Sequence, residues 1–457
     1  MIAVEKEKRF DWPLCYEAEN LVLERIEAFL GRNSFAAKLS ERLREETGTL
    51  FIDWVDHFVL PTEAEASLRA AGFIDDPFSE RTARGEGILW HPDAMLPRVL
   101  IDRTLRMADH PPTLAIRAED VSDFIQRHGI NVEQEGEPCS RFRRATVSHE
   151  NNSRFEVVER RGYRGFASEK PHPNFSQTRE LWKNRPRNFA DDGEGFRQTH
   201  ALLDRVIALV GRDLACHVVF AEERAYWQGR NRAAQVQKAR QDRLGLGWAN
   251  HDHHTFRCSR AHFVDVMRIL DKLGFERRER YYAGAQAGWG AQISEQPIEG
   301  IVTFCDVDLE SDETEIDFSR HVLPAPKKLG TIGLWVGLHG ESFLEVGMHH
   351  LECRFDHDLL RDQLAAANVN TMKPFSDFPF LKQAFTEGEH WPVRRERAGR
   401  LLRDGLIDEK QFNEFVTNGA IGSHLENLQR KGGFKGFNQK SVSAIIQATD
   451  PRKQNVH

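Results

Sequence analysis

Hydrophobic residues recur at helical spacing in two distant stretches of the chain. Apolar side chains at positions i, i+3 and i+7 occupy one face of residues 17–32, and the same pattern occupies residues 197–213. This spacing predicts an amphipathic helix in each stretch. The first contains LERIEAFLGRN and the second contains LDRVIALVGRD, which start at residues 23 and 203 and are therefore 203 − 23 = 180 residues apart. The similarity indicates that one structural unit occurs twice.

Three further pairs of stretches repeat in the same order along the chain. The pairs are 56–73 with 252–275, 114–130 with 351–369, and 154–166 with 424–437. Both members of the first pair begin with Asp-His and end in Gly-Phe, and both members of the last pair end in Gly-Phe. Repeated stretches in one order predict an internal duplication. We expect a first copy over residues 10–170, a linker over 171–195 and a second copy over 196–457.

Within each copy the patterns follow the order strand, helix, strands, and they do so twice. This order predicts an α+β fold made of βαβββ modules, with mixed sheets that curl around a cavity. Residues 171–195 are rich in Pro, Asn and Gly, which is typical of a linker. The second copy is longer because of insertions near 306–330 and 387–420, and the second insertion has a helical pattern.

Composition and charge exclude several classes of protein. The chain has 457 residues, 40% of them hydrophobic, and a formal net charge of −7, with no basic stripe that would predict nucleic-acid binding. It contains no apolar run of about 18 residues, so no membrane span is expected. The N-terminus lacks the apolar segment of a signal peptide. Six widely spaced cysteines without a CxxC pair predict a reduced, cytoplasmic protein without a disulfide framework.

The stretch 250–257 carries the strongest candidate chemistry, since three of residues 251–254 are histidine. Read as a strand, its period of two places His251, His253, Thr255 and Arg257 on one face. Such a face would offer imidazoles to a metal and a guanidinium to a carboxylate. The alternative is a polar surface strand that contains histidines by chance.

The other candidate ligands come from two later stretches. In residues 348–355, alternation groups His350 with polar neighbours and His349 with apolar ones, so we predict His350 as the ligand and His349 in the core. Glu426 is the best candidate carboxylate, and it follows His350 by 426 − 350 = 76 residues, about one module. Spacing alone leaves Glu345 and Glu352 open, and Glu426 could instead pair with Arg430.

From about residue 245 to 450 the chain resembles the 2-oxoadipate dioxygenase/decarboxylase family. That family is an iron-dependent branch of the vicinal oxygen chelate superfamily and is related to hydroxyphenylpyruvate dioxygenase. The resemblance rests on DHxxxR (252–257), LGF (273–275), GWGAQ (288–292), IVTF (301–304), GMHHL (347–351), LKQAFT (381–386), LENLQRKGGFKGF (425–437) and AIIQATD (444–450). The order of these motifs is more specific than any one of them.

The resemblance implies site residues and a cofactor. The family's metal ligands fall on His253, His350 and Glu426, with Fe(II) as the expected metal. Its carboxylate-binding arginine falls on Arg257, and Gln383 lies in the stretch that lines the pocket. The two insertions are foreign to the shorter family members, and we expect them to reshape the substrate mouth, so the substrate is not carried over.

The first copy departs from this pattern. His57 corresponds to His253 and Glu156 to Glu426, but prolines stand at position 61, opposite Arg257, and near position 112, opposite His350. Proline can neither bind a metal nor pair with a carboxylate. We therefore predict that the first copy is structural. A residual site made of His57, His110 and Glu156 is the alternative.

The resulting hypothesis is an Fe(II)-dependent dioxygenase/decarboxylase that acts on a 2-oxo acid or a similar small carboxylate together with dioxygen. One alternative is another metal-dependent enzyme on the same frame, namely a hydrolase, an isomerase or a ring-cleaving dioxygenase. A second alternative is a non-catalytic protein that binds a metal or ligand. No nucleic-acid or membrane partner is expected. The sequence names neither the substrate, the pathway nor the oligomeric state.

Overall fold

The computed structural model describes residues 12–78, 87–102, 112–282, 288–310, 312–313, 316–326, 328–437 and 451–453. The α-helices in this part of the chain are α1 (Tyr16–Leu30), α2 (Ser34–Arg42), α3 (Glu65–Ala70), α4 (Val121–His128), α5 (Phe175–Lys183), α6 (Asp192–Val210), α7 (Arg212–Gln228), α8 (Arg232–Arg243), α9 (Phe263–Lys272), α10 (Thr331–His339), α11 (His357–Ala365), α12 (Arg395–Arg403) and α13 (Glu409–Asn418). Within these ranges, none of the helices combines the length and the apolar character that crossing a membrane requires.

The strands form two large mixed sheets and one small sheet. Those of the first large sheet are β1 (Val55–Pro61), β2 (Ile74–Asp75), β3 (Gly87–Trp90), β4 (Arg98–Asp102), β5 (Thr113–Arg117), β6 (Phe142–Glu150) and β7 (Ser153–Arg160). Those of the second are β8 (His251–Arg257), β9 (Glu276–Tyr282), β10 (Trp289–Gln296), β11 (Ile301–Asp308), β12 (His350–Arg354), β13 (Ser376–Phe378), β14 (Leu381–Phe385) and β17 (Leu425–Arg430). The small sheet pairs β15 (Glu389–Trp391) with β16 (Ala420–Ser423).

The second sheet consists of two βαβββ modules. Its strand order is β13-β14-β17-β12-β8-β11-β10-β9. In the first module β8 is followed by α9 and then by β9, β10 and β11, and β8 pairs with β11 in parallel. In the next module β12 is followed by α11, β13, β14 and β17, and β12 pairs with β17 in parallel. The two opening strands, β8 and β12, lie side by side and antiparallel, which joins the modules into one sheet.

The first sheet repeats this plan. Its order is β2-β3-β4-β1-β5-β7-β6, with β1 parallel to β4, β5 parallel to β7, and β1 antiparallel to β5. Its second module has two strands after α4, and an isolated bridge between Glu135 and Arg144 takes the place of a third. The predicted α+β class, the βαβββ modules and the internal duplication are therefore confirmed by the topology.

An arginine at the end of the last strand of each copy hydrogen-bonds to the segment that follows it. Nη1 of Arg160 donates hydrogen bonds to the carbonyl oxygens of Tyr163 and Gly165, at 3.4 and 2.5 Å. In the second copy, Nη1 of Arg430 donates to the carbonyl oxygens of two residues of the matching segment, at 3.0 and 2.5 Å. We call residues 161–166 the first hook and residues 431–437 the second hook. The recurrence of this arginine supports the duplication at the level of single contacts.

Helix α1 and the residue before it form hydrogen bonds with the second hook. The Cys15 amide donates to the Gly432 carbonyl oxygen at 2.7 Å. The Glu19 carboxylate accepts from the amides of Gly432 and Gly433, at 2.7 and 3.1 Å. The start of the chain is thus bound to a segment near its described end.

Helices cover the outer faces of both sheets. Apolar residues of α1, α2 and α4 form one core with the first sheet, and those of α6, α7, α9 and α11 form another with the second. The stretch 171–195, predicted as a linker, contains α5, whose Trp182 is fully buried and donates to Glu223. The insertion at 387–420 contains β15, α12, α13 and the first residue of β16, and α12 packs against α10.

Candidate metal centre

Three neighbouring strands of the second sheet, β8, β12 and β17, carry the candidate ligands. Strand pairing places Glu352 opposite His253 on one side and opposite Glu426 on the other. His350 lies two residues before Glu352 on β12, opposite Thr255. Because alternate residues of a strand point to one face, these five side chains share the inner face of the sheet. All five are buried, with exposed fractions of 0–4%.

His350 and two carboxylates form the tightest group. Nε2 of His350 lies 3.3 Å from Oε2 of Glu426 and 3.4 Å from Oε1 of Glu352. One ligand atom from each of these three residues lies within 4.8 Å of the other two. Two atoms that each bind a metal at about 2.1 Å and at right angles are about 3.0 Å apart. The spacing of this group is therefore that of three adjacent ligands of one ion.

His253 reaches the group through Glu352. Its Nδ1 lies 3.4 Å from Oε2 of Glu352, while Glu352 uses its other oxygen to approach His350. The ring of Phe437, from the second hook, contacts the His253 ring edge-on, with centroids 4.7 Å apart. The structure thus brings His350 and Glu426 together directly and places His253 one carboxylate away from them.

His349 is buried against Trp335, as predicted for a core residue, but the prediction that it points away from His350 is wrong. Its Nδ1 lies 2.7 Å from Nδ1 of His350, and its ring also contacts His424. The alternation argument failed because β12 begins at His350, and the preceding Gly347 has a left-handed φ of 78°. With a metal bound, a proton on Nδ1 of His350, shared with His349, would leave the Nε2 lone pair of His350 for the metal. His349 therefore orients a candidate ligand.

The prediction that His251 shares a face with His253 is also wrong. A β-bulge lies between the two residues, since the partners of His253 and His251 on β12 are the adjacent Glu352 and Cys353. A bulge adds a residue to one strand and reverses the alternation beyond it. His251 consequently faces a different cavity, between the two copies.

The two carboxylates differ in their protonation. Burial raises the pKa of Glu426 well above its usual range, and the neighbouring Glu352 raises it further. Burial also opposes ionisation of Glu352, but the hydrogen bond with His350 and the charges of His253 and His350 bring its pKa below the usual value. Burial lowers the pKa of His350 as well. Without a cation, the cluster therefore favours one protonated carboxyl beside one carboxylate and a neutral imidazole.

Gln383 and Thr255 hold these carboxylates in place. Nε2 of Gln383, on β14, donates to Oε1 of Glu426 at 2.9 Å. The Thr255 hydroxyl donates to Oε1 of Glu352 at 2.8 Å. Gln383 was predicted as a pocket-lining residue, and its side chain both lines the cavity and orients a candidate ligand.

Arg257 lies farther along β8, next to Asp306 of β11. Its Nε is 3.3 Å from Oδ2 of Asp306, and its guanidinium lies over the Trp335 ring at 5.4 Å from the centroid. Burial raises the pKa of Asp306 to about 7, although the charge of Arg257 opposes the rise. An acid with this pKa is only partly ionised near neutral pH, so it compensates the guanidinium incompletely.

One cavity connects these groups. It contains about 550 Å³ of empty space, part of it open to solvent. The residues that line it are Thr255, Arg257, Tyr281, Trp289, Phe304, Asp306, His350, Glu352, Phe375, Gln383, Phe385, Glu426 and Phe437. Two carboxylates and an imidazole lie at one wall, a guanidinium at another, and six aromatic rings between them. The donor set of imidazole nitrogens and carboxylate oxygens suits a divalent first-row metal.

In the corresponding region of the first copy, the middle strand β5 carries neither the histidine nor the glutamate of β12. Pairing of β1 with β5 places Thr113 where His350 stands, one residue from the predicted Pro112, and places Ala115 where Glu352 stands. His57 instead binds Asp56, at 2.7 Å between Nδ1 and Oδ1. His110 and the motif at 444–450 lie outside the described residues.

Sequence spacing left Glu352 open as a possible ligand. The sequence patterns did not indicate Asp306 or His424 as residues of the site. Glu352 was detectable because it shares its face of β12 with His350. Asp306 was assigned to the insertion near 306–330, but it lies in β11, which begins at the apolar Ile301.

The chain matches no protein-family model and no curated protein sequence. Among solved structures it is similar to a variant of 4-hydroxymandelate synthase from Streptomyces coelicolor, with 14% identity over 88% of this chain and 99% of that chain, at a TM-score of 0.27. It is similar to methylmalonyl-CoA epimerase from Mycobacterium tuberculosis, with 14% identity over 39% of this chain and 87% of that chain, at a TM-score of 0.23. It is also similar to a fusion of a xylose isomerase-like TIM barrel with 4-hydroxyphenylpyruvate dioxygenase, with 12% identity over 96% of this chain and 57% of that chain, at a TM-score of 0.24. These scores are too low to carry the activity of any of these proteins over to this chain.

Proposed function

We propose that the second copy is an Fe(II)-dependent dioxygenase/decarboxylase that acts on a small 2-oxo acid. The observation that carries the proposal is the buried group of His350, Glu352 and Glu426, whose ligand atoms already have the spacing of adjacent metal ligands. The resemblance of the sequence to 2-oxoadipate dioxygenases/decarboxylases favours iron over other divalent metals.

The metal would be held by His253, His350 and Glu426, with Glu352 as a further donor or as the residue that orients His253. Two buried carboxylates in contact are costly unless a proton or a cation offsets their repulsion. A divalent cation would replace the proton on Glu426 and stabilise both charges. Iron bound here would supply the oxidative decarboxylation chemistry.

The remaining residues of the cavity would bind and orient the substrate. Arg257 would pair with a substrate carboxylate, in competition with the partly ionised Asp306. Gln383 would keep Glu426 in one orientation through its hydrogen bond. The aromatic walls would exclude water from the reacting groups.

Anaerobic reconstitution with Fe(II) tests this proposal. We expect one iron per chain and oxygen consumption with at least one member of a panel of 2-oxo acids, with release of carbon dioxide in equal amount. Iron binding without oxygen consumption across the panel would support a different enzyme on this frame, such as a hydrolase or an isomerase. Failure to bind Fe(II), Zn(II) or Mn(II) would reject the metal centre itself.

A further inference from the structure

A second large cavity lies between the two copies, on the outer side of β8. It consists of two adjoining spaces of about 1380 and 1120 Å³, both partly open to solvent. The residues common to both linings are Arg117, Arg160, Ala249, His251 and Glu299. They come from both halves of the chain. We call this space the inter-copy cavity. His251, which is not part of the metal centre, lines it.

The inter-copy cavity contains one basic side chain without an ionic partner among the described residues. Its larger part is lined by six arginine or lysine side chains and four carboxylates. The carboxylates are already engaged within the protein: Glu119 with Arg224 and Lys238, Glu222 with Arg179, Glu299 with His217 and the Gly162 amide, and Asp120 with the first amides of α4. Five of the six basic side chains are paired with carboxylates: Arg160 with Asp56, Arg161 with Glu159, Arg179 with Glu222, and both Arg224 and Lys238 with Glu119. The charge that remains for an anionic ligand is that of Arg117.

Arg117 supplies the surplus charge. It is the last residue of β5, half-buried, and lines both parts of the cavity. Within the described part of the chain its guanidinium makes no hydrogen bond or ion pair, and its charge acts only at a distance on Glu299 and His251. A half-buried guanidinium has five N–H donors, so this position offers a ready site for a carboxylate or phosphate.

A second group that lines the cavity supports the same conclusion. The side chain of Trp248 is 1% exposed and lines the cavity, and its indole N–H has no acceptor in the part of the protein that the structure describes. An unsatisfied buried donor is costly, and an acceptor oxygen from a ligand would remove the cost.

We propose that the inter-copy cavity binds the oxyanion group of a small molecule, with Arg117 as the charged partner and the Trp248 indole N–H as a further donor. The site is separate from the metal centre, because β8 lies between them: His253 and Arg257 face one side and His251 the other. The inference does not depend on the proposed function.

Isothermal titration calorimetry of the full-length, metal-free protein at low ionic strength tests the proposal. Inorganic phosphate and succinate are titrated separately, so that the two arms distinguish a phosphate from a carboxylate ligand. We expect one of the two to bind at one site per chain. Arg117→Gln should weaken this binding roughly tenfold or more, because a charge-assisted pair is lost.

Two further variants control for folding and for general charge. Trp248→Phe keeps an aromatic ring and removes the N–H donor, and we expect it to weaken binding several-fold with an unchanged melting temperature. Arg205→Gln removes an exposed arginine of α6 that lies outside the cavity lining and should bind as the wild type does. Wild-type protein that binds neither anion overturns the proposal, as does equal affinity in Arg117→Gln and Arg205→Gln.

Discussion

The two copies share a frame and differ at its middle strand. In the second copy β12 places Glu352 and His350 between the flanking strands. In the first copy β5 places Ala115 and Thr113 at the same register positions. The outer strands still carry an imidazole and a carboxylate in both copies. Under the proposed function, this one strand distinguishes the copy with a metal centre from the copy without one.

The retained residues have other uses in the first copy. The His57 ring contacts Phe166 of the first hook at 4.7 Å between centroids, the separation of His253 from Phe437 in the second hook. Asp56, adjacent to His57, is bound by both Nε and Nη2 of Arg160. These contacts pack and anchor the last strand. The comparison teaches that a histidine at this position packs against a phenylalanine of the hook in both copies.

Among the variants that test this comparison, removal of His350 should have the largest effect on metal binding. We expect His350→Ala to weaken Fe(II) binding on the order of 100-fold or more, since a direct ligand is lost. The matched change Thr113→Ala in the first copy should leave iron content unchanged. Metal analysis after anaerobic reconstitution measures both variants. Full iron occupancy in His350→Ala would place the metal elsewhere.

Glu352→Gln tests whether Glu352, which sequence spacing left open as a ligand, takes part in metal binding. The amide keeps the size of the side chain but loses the charge that faces His253 and His350. We expect iron affinity to fall by roughly ten- to a hundredfold. Metal titration monitored by calorimetry gives the value. An affinity equal to that of the wild type would leave Glu352 with a packing role like that of Ala115.

Arg257→Lys tests the substrate end of the cavity, where the first copy has Pro61. Lysine keeps the charge but loses the paired N–H donors. The apparent KM for a 2-oxo acid should rise by about ten- to a hundredfold, with iron content unchanged. Steady-state oxygen uptake provides the measurement. Unaltered kinetics with iron still bound would remove Arg257 from the substrate site.

Asp306→Asn should change the pH dependence of stability. The folded-state pKa of Asp306 is about 7, above the value of about 3.9 for an unfolded chain, so its favourable contribution is present below about pH 4 and is lost as pH rises through 7. The metal-free wild type should therefore lose on the order of 3 kcal/mol more unfolding free energy than the variant between pH 5 and 8. Urea unfolding at both pH values checks this. Equal losses would show that Asp306 is ionised throughout.

Glu156→Gln should have the smallest effect. This residue of the first copy occupies the position of Glu426, and its nearest partners are Thr146 at 3.4 Å and Arg144 at 4.0 Å. We expect unchanged iron content and a change in unfolding free energy within about 1 kcal/mol, since these contacts are long. A drop in iron content would show that the first copy binds metal.

The repeats in the sequence predicted the module plan because hydrophobic periodicity reports on local structure. The site was harder to predict, since it depends on where each strand begins. Alternation selected His350 correctly for the inner face of β12, but it failed at His349, which precedes the strand, and at His251, which precedes a bulge. Sequence pattern also cannot show that Glu352 lies between His253 and Glu426, because that proximity arises from pairing across three strands.

The bond between the first helix and the second hook has a consequence for the order of folding. Glu19 leaves the ribosome early, but the Gly432 amide that it accepts from is 413 residues later in the chain. The last contacts of this helix can therefore form only after the 413 following residues have been synthesised. Closing such long-range contacts is slow, and the earlier copy remains incompletely tied down until then. Helix α1 is therefore among the last described elements to reach its final contacts.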